Sequence, residues 1–457
     1  MVRFTIPTVN EVFPLKHPNC ISKFLSKKHQ CLAFLKLCSS IKHLYQIHAQ
    51  VQVFGLQSDT FLLSELVRFC SLSSWKDVSY ARTLLDTSVD SMPSSWNMLI
   101  RGYASSDSAM EAIWVFHEMR RRRIRPNNLT FPFLLKACAM CSLLKEGRQV
   151  HVEVFKYGLD CDVYVQNNLV HFYGSCKKIR DAQRLFDAMS ERTVVSWNAI
   201  ITACVDNFQL RESIRYFVKM IECGFEPDET TMVVLLSACA ELGNLSLGMW
   251  VHSQVIARGL VLNLLLGTAL VDMYAKCGGV DYGKVVFNRM DERNVWTWSA
   301  MIMGLAQHGY AHEALHFFSM MRNKSSIRPN YVTFLGVLCA CSHAGLVEDG
   351  YRYFHEMEHK HKIKPTMIHY GAMVDILGRA GRLEEAYDFI RNMPVEPDPI
   401  VLRTLLSACS IHSNDGDGIG DEIQKKLLKM EPKRSGNFVI VANIYAEAGM
   451  WDKAAKV

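Results

Sequence analysis

V-V-S-W-N-A-I-I-T-A-C-V-D-N-F-Q-L-R-E-S-I-R-Y-F-V-K-M-I-E-C-G-F-E-P-D (194–228) is the stretch from which the rest of the chain can be read. Trp197, Ile200, Ile201 and Cys204 fall at i, i+3, i+4 and i+7, a spacing that puts all four side chains on one face of a helix. Asp206 and Asn207 interrupt, and Leu210, Ile214, Phe217, Val218 and Ile221 begin the pattern again. Gly224 supplies a helix stop and Pro227 prevents continuation. The stretch predicts helix, turn, helix, short connection. Two helices this short cannot bury their apolar stripes alone, so they need neighbours of the same kind.

Those neighbours are present. Trp96-Asn97, Trp197-Asn198 and Trp298-Ser299 are 101 residues apart each time, and His151/His252, Tyr173/Tyr274 and Phe186/Phe287 keep the same step. A period of 101 residues exceeds one supersecondary unit and is a composite of shorter ones. The echo F-x-x-M, at Phe116/Met119, Phe186/Met189, Phe217/Met220, Phe287/Met290, Phe317/Met320 and Phe354/Met357, cuts each period into segments of 35, 35 and 31 residues. The expected fold is all-α, a right-handed α-solenoid of helix-turn-helix repeats.

Composition agrees. Of 457 residues 49% are hydrophobic, ample for a continuous core. No apolar run approaches the roughly 20 residues needed to cross a bilayer, so a soluble chain without a membrane segment is expected. Among the 15 cysteines, Cys138, Cys239, Cys341 and Cys409 close L-L-x-A-C-like strings, while Cys176 and Cys277 follow Tyr173 and Tyr274. That register reads as small buried thiols in a reducing compartment rather than disulfides. A net charge of +6 permits a polyanionic partner without demanding one. The densest basic run, Arg120 to Arg123 with Arg125, could grip phosphates, but reads better as a solvated helix C-terminus. Residues 1–27 match no repeat; Arg3, Lys16, Lys23 and Lys27 against Glu11 alone suggest an organellar transit segment.

At these residues the chain resembles a plant pentatricopeptide repeat protein of the PLS subclass, in which P, L and S motifs alternate. The strings T-F-L-G-V-L-C-A-C-S-H-A-G-L-V-E-D-G (333–350) and V-D-I-L-G-R-A-G-R-L-E-E-A (374–386) carry the resemblance most specifically. It implies about 11 motifs over 28–398: L at 28–59, S at 60–92, P at 93–127, L at 128–162, S at 163–193, P at 194–228, L at 229–263, S at 264–294, P at 295–330, then a last L-like and S-like pair at 331–366 and 367–398. Segment 399–436 resembles the first E motif that follows such arrays. Segment 437–457 resembles the start of a second, read as incomplete because the sequence stops at Val457. Family members often continue into a zinc-dependent deaminase domain ending in Asp-Tyr-Trp, which this sequence does not contain.

In the family, the fifth and last residues of a motif flank one RNA base. Carried over, the RNA base-binding pairs are Asn97 with Asn127, Asn167 with Thr193, Asn198 with Asp228, Thr268 with Asn294, and Ser299 with Asn330. All are small and polar, which is unexpected for packing and sensible for hydrogen bonds to the edges of unpaired bases. Helix N-capping is the alternative reading of each. The resemblance implies pyrimidine, pyrimidine, U, A and A, 5′ to 3′. The L motifs, with Pro132/Asp162, Val233/Asn263 and Leu335/Thr366, are expected to contribute spacing.

Two catalytic look-alikes dissolve into the repeat. His355-Glu356-Met357-Glu358-His359 matches H-E-x-x-H, but Phe354 and Met357 are template positions and no third ligand is apparent. Cys138-x-x-Cys141 with His151-x-Glu153 imitates a zinc deaminase in reversed order, and both have in-register partners in Cys239 and His252. No metal, cofactor or catalysis is expected. The resemblance implies a monomeric factor that selects sites for C-to-U editing in single-stranded organellar RNA. A DYW-type deaminase in trans and accessory organellar editing factors would be its partners, and the mitochondrion its location, with the chloroplast as alternative. The rivals are RNA stabilisation, processing or splicing, and a peptide-binding scaffold of the tetratricopeptide kind; the 35/35/31 alternation and the missing W-x2-L-G pattern disfavour the scaffold.

Overall fold

The computed structural model describes residues 26–455 apart from 89–91, 413–418, 433 and 448–450; the expected transit segment at 1–27 lies outside them but for its last two residues. Among the described residues every regular element is a helix. The chain divides into two compact units, Met1–Pro227 and Asp228–Val457. In the first, helix pairs begin at Lys27, Thr60, Pro93, Thr130, Val163 and Val194; in the second, at Glu229, Leu264, Val295, Tyr331, Met367, Pro399 and Ser435.

Each unit is an α-solenoid. The first helix of a pair packs on the first helix of the next, as Val163–Ser175 does on Val194–Asp206 and Val295–Gln307 on Tyr331–Ala344. The second helix packs on its own first. Trp96, Trp197 and Trp298 sit in this core, and Phe186 and Phe287 meet Trp197 and Trp298 edge-on at 4.8 Å in both cases. Gly224 closes the helix Leu210–Glu222 at φ 82°, as its position predicts.

Four first-helix contacts share one device. Built on Gly102, Gly174, Gly304 or Gly378, a Cβ would come within 2.9, 2.6, 2.4 and 2.7 Å of Ser71, Ala203, Ala275 and Ala408. Adjacent first helices therefore touch through small residues on both sides, and their backbones approach closely.

Two readings of the second helices need correction. In Leu210–Glu222 the buried stripe is Leu210, Ser213, Tyr216, Phe217 and Met220, while Val218 and Ile221 face solvent. The helix turns its face by about one residue, because only the side lying on its partner needs to be dry. Further on, the fully buried F-x-x-M pair is Phe318 and Met321, not Phe317 and Met320. Phe318 is 101 residues after Phe217, so the overlapping copy one residue later holds the register.

Candidate nucleic-acid interface

Every last-position residue sits where a first helix begins. Thr193, Asp228, Asn294 and Asn330 are N-caps of the helices that follow them, each closing a capping box with the residue three further on. Asn127 does the same work one turn early: its Oδ1 accepts from the Leu129 amide at 3.1 Å. Capping, the structural alternative, is thus real for these side chains. In Asn294 and Asn330 it occupies only one of the two polar side-chain atoms. The oxygen accepts the Thr297 and Thr333 amides, both at 2.9 Å, and Nδ2 has no acceptor among the described residues.

The fifth-position residues lie on the preceding first helices. Asn97 Nδ2 donates to Asn127 Oδ1 at 2.9 Å, and Ser299 Oγ lies 3.2 Å from Asn330 Oδ1. Thr268 reaches Asn294 through an intermediary, with Thr268 Oγ1 2.7 Å from Thr297 Oγ1 and that hydroxyl 3.0 Å from Asn294 Oδ1. Asn167 and Thr193 are not joined. Thr193 turns to Ser196, while Asn167 Oδ1 is buried and accepts no hydrogen bond. Asn198 and Asp228 belong to different units; Asn198 is half-buried on Val194–Asp206, and Asp228 caps Glu229–Leu242 through Thr231. Asn97, Asn167 and Ser299 are buried, at 4%, 7% and 1% exposure, deeper than the open display their pattern suggests. The caps beside them stay exposed or half-buried.

In the second unit an open groove crosses the first helices Glu229–Leu242, Leu264–Lys276 and Val295–Gln307. Thr268, Asn294 and Ser299 line it together with Leu265, Trp296 and Met303, and the Asp272–Lys276 pair, 2.8 Å long, lies on its wall.

Two sets of residues escaped the sequence reading. Buried hydroxyls three residues past the caps, Thr130, Ser196, Thr231, Thr297 and Thr333, link readers to helix starts. Their signal is register alone. The second set is apolar and exposed: Leu129, Tyr164, Val195, Leu265, Trp296, Ile368 and Ile400 stand two residues after a cap position, and Trp296 is 50% exposed. Single exposed apolar side chains are ordinary, but a row at one register beside polar readers is a surface on which planar rings can stack.

Comparison with known proteins matches this architecture to named repeat models. The PPR repeat family model matches 94–140 and 192–241, the pentatricopeptide repeat domain model 149–207, and the PPR repeat model 268–295, 296–326, 332–361 and 368–396. Pentatricopeptide repeat-containing protein At2g36730 of Arabidopsis thaliana is 67% identical over 437 residues, covering 95% of this chain and 87% of that protein. The chain belongs to the pentatricopeptide repeat family. It also carries an E motif, matched at 415–457. Pentatricopeptide repeat-containing protein At1g59720, chloroplastic/mitochondrial, from the same plant, is 37% identical over 91% of this chain and 67% of its own length. Among solved structures, the pentatricopeptide repeat protein PPR10 in complex with an 18-nt psaJ RNA element superposes with a TM-score of 0.75 at 16% identity. The match covers 91% of this chain and 63% of that one, and at this identity it is a likeness of fold.

The remaining motifs of this pentatricopeptide repeat protein are structural. His355 and His359 stack face to face, centroids 3.8 Å apart, and among the described residues no group of three His, Cys, Asp or Glu is placed to hold a metal ion. Cys138 is buried and Cys141 exposed, and burial pushes the Cys138 thiol up to about 12, which keeps it protonated. His151 Nδ1 lies 3.0 Å from the Tyr173 hydroxyl, and Glu153 pairs with Arg120 and Lys156 at 3.3 and 2.9 Å. The arginine run ends its helix and ties it backwards: Arg122 bonds Glu118, Asp86 and the Leu85 carbonyl and lies over Trp96, and Arg123 takes φ 58°. The described cysteines are free thiols, and among the described residues no helix is long and apolar enough to cross a membrane.

Proposed function

We propose that this chain binds single-stranded RNA sequence-specifically, with one base read at each pair of fifth- and last-position residues. The observation that carries it is the cap at Asn294 and Asn330, which bonds its helix through one polar atom and leaves the other free beside a small polar neighbour, with Trp296 exposed next to the first. Such a pair meets a base edge with hydrogen bonds while the apolar neighbour supports its face. The PPR10 complex, of like fold, holds an RNA element and supports the reading. The base order is pyrimidine at Asn97/Asn127, pyrimidine at Asn167/Thr193, U at Asn198/Asp228, and A at both Thr268/Asn294 and Ser299/Asn330. A carboxylate accepts the N3–H of uracil, and an amide donates to a ring nitrogen.

On this reading the chain is a PLS-type protein acting as a monomer in a plant organelle. The mitochondrion is preferred and the chloroplast is the alternative; a relative whose name carries both compartments supports an organelle of either kind. Stabilisation, processing or splicing of the bound RNA follows from binding alone. The finer role, selecting cytidines for C-to-U editing by a DYW-type deaminase in trans with accessory organellar editing factors, is supported by the E motif at 415–457. Sequencing organellar transcripts from a plant lacking the protein, beside binding of the purified chain to RNAs in and out of this base order, tests both. We expect one cytidine left unconverted downstream of the stated bases. If all cytidines are converted while the chain prefers the ordered RNA, editing is rejected and stabilisation or processing stands. If the chain binds all RNAs equally, base reading fails.

A further inference from the structure

The buried threonines behind the readers have their protons placed by the backbone. Thr297 and Thr333 are fully buried. The Asn294 and Asn330 backbone amides point at their hydroxyl oxygens, at 3.3 and 3.1 Å. An amide can only donate, so each threonine oxygen accepts there and has one proton left for a reader. Asn294 Oδ1 and Asn330 Oδ1 lie 3.0 Å from these hydroxyls. The same side-chain oxygen also receives the threonine amide, so it must be oxygen, and the NH2 group must face away. Thr268 and Ser299 give their own protons to the Leu264 and Val295 carbonyls, both at 2.7 Å, so the threonine proton goes to Thr268 Oγ1 or Ser299 Oγ, also 2.7 Å away. One buried threonine thereby orients both side chains of a pair.

Thr130 is wired in the same way. It accepts from the Asn127 amide at 3.0 Å, and its hydroxyl lies closer to the fifth-position Asn97 Oδ1, at 2.7 Å, than to Asn127 Oδ1, at 3.2 Å. Asn97 is then held at both ends, its oxygen by Thr130 and its NH2 by Asn127. In the pair assigned to a pyrimidine, as in the pairs assigned to A, the hidden proton points at the fifth-position side chain, an amide oxygen in the first and a hydroxyl in the others.

We propose that Thr130, Thr297 and Thr333 are specificity-determining positioning residues: they touch no base, and they fix which donors and acceptors the two readers in front of them present. The inference rests on the base-reading function proposed above and extends it to the third residue of the following repeat.

Thr297→Val removes the hydroxyl and keeps the amide that caps Asn294, whereas Thr297→Ser keeps both. Fluorescence anisotropy with two sets of RNAs reads the outcome, one varying the nucleotide assigned to Thr268/Asn294 and the other that assigned to Ser299/Asn330. We expect Thr297→Val to lose about five- to tenfold of the preference for A at its own nucleotide, the range of one hydrogen bond. Preference at the neighbouring nucleotide should stay at the wild-type value, and Thr297→Ser should behave as wild type. Thr333→Val, read at the Ser299/Asn330 nucleotide, serves if circular dichroism shows Thr297→Val unfolded. An unchanged profile, or an equal loss on every RNA, overturns the positioning role. A wild-type chain indifferent at both nucleotides overturns base reading itself, a different result from a variant that fails beside a discriminating parent.

Discussion

A helix cap and a base reader ask for the same chemistry, a short side chain with a polar atom on a stiff backbone. That is why capping and base contact could not be separated by residue type, and why the structure finds one atom serving the helix while its partner faces outward at Asn294 and Asn330. The readers stood out in the sequence because Asn97, Asn198 and Ser299 are polar next to a tryptophan that packs. The threonines behind them did not, since a threonine early in a helix is commonplace. At this scale the decisive substitution is Asn198→Thr. It exchanges an amide for a hydroxyl at the register proposed to read U, and we expect the preferred base there to move from U toward G. Binding to four RNAs that differ at this nucleotide measures it, and a profile identical to the parent's would remove Asn198 from the set of readers.

Between elements, the contact of neighbouring first helices depends on side chains that are nearly absent. Gly304 sits in a helix, where alanine ordinarily stabilises by about 1 kcal/mol. Here its Cβ would lie 2.4 Å from that of Ala275, and relieving such overpacking costs about 1–3 kcal/mol. Gly304→Ala should therefore destabilise by up to about 2 kcal/mol, seen as an earlier urea midpoint. The pair Gly174 and Ala203 carries its methyl on the later helix, whereas Ala275 and Gly304 carry it on the earlier. The double change Ala275→Gly with Gly304→Ala should consequently recover most of the loss; failure to recover would mean that the contact is not what sets the cost. Periodicity made the helices legible, but which side of a second helix lies against its partner depends on a contact distance that spacing does not contain. Val218 and Ile221 faced solvent for that reason.

For the molecule as a whole, solenoid stability is close to a sum over repeats and their interfaces, so small terms recur. His48, His151, His252 and His369 all have pKa values lowered by burial. His369 is buried, its Nδ1 accepting the Thr366 amide at 3.2 Å and its Nε2 2.8 Å from the Tyr331 carbonyl, and loss of hydration outweighs what these contacts offer the charged ring. In the unfolded chain these rings take up protons near pH 6.5 while the folded ones do not, so stability rises with pH below that value. The contribution is complete above about 6.5 and is lost as pH falls toward the depressed folded values. The melting temperature should be level from pH 8 to 7 and decline between 6.5 and 5, with a shallower decline in His369→Asn, whose amide both accepts and donates. A flat melting curve over that range would contradict it. Helix class and the repeat of helix pairs were visible in the sequence, because each recurs, and the paired positions came from the resemblance to the family; the histidine–tyrosine contacts recur too, at His151/Tyr173 and His252/Tyr274, yet nothing in spacing says that they touch.

One consequence follows from caps that bond inward through a single atom. Asparagine, aspartate, serine and threonine start helices with strengths that differ by little, while what each shows to the outside differs in kind. A lineage can then exchange one letter of its target for another by a single codon change, without passing through a chain that no longer holds together.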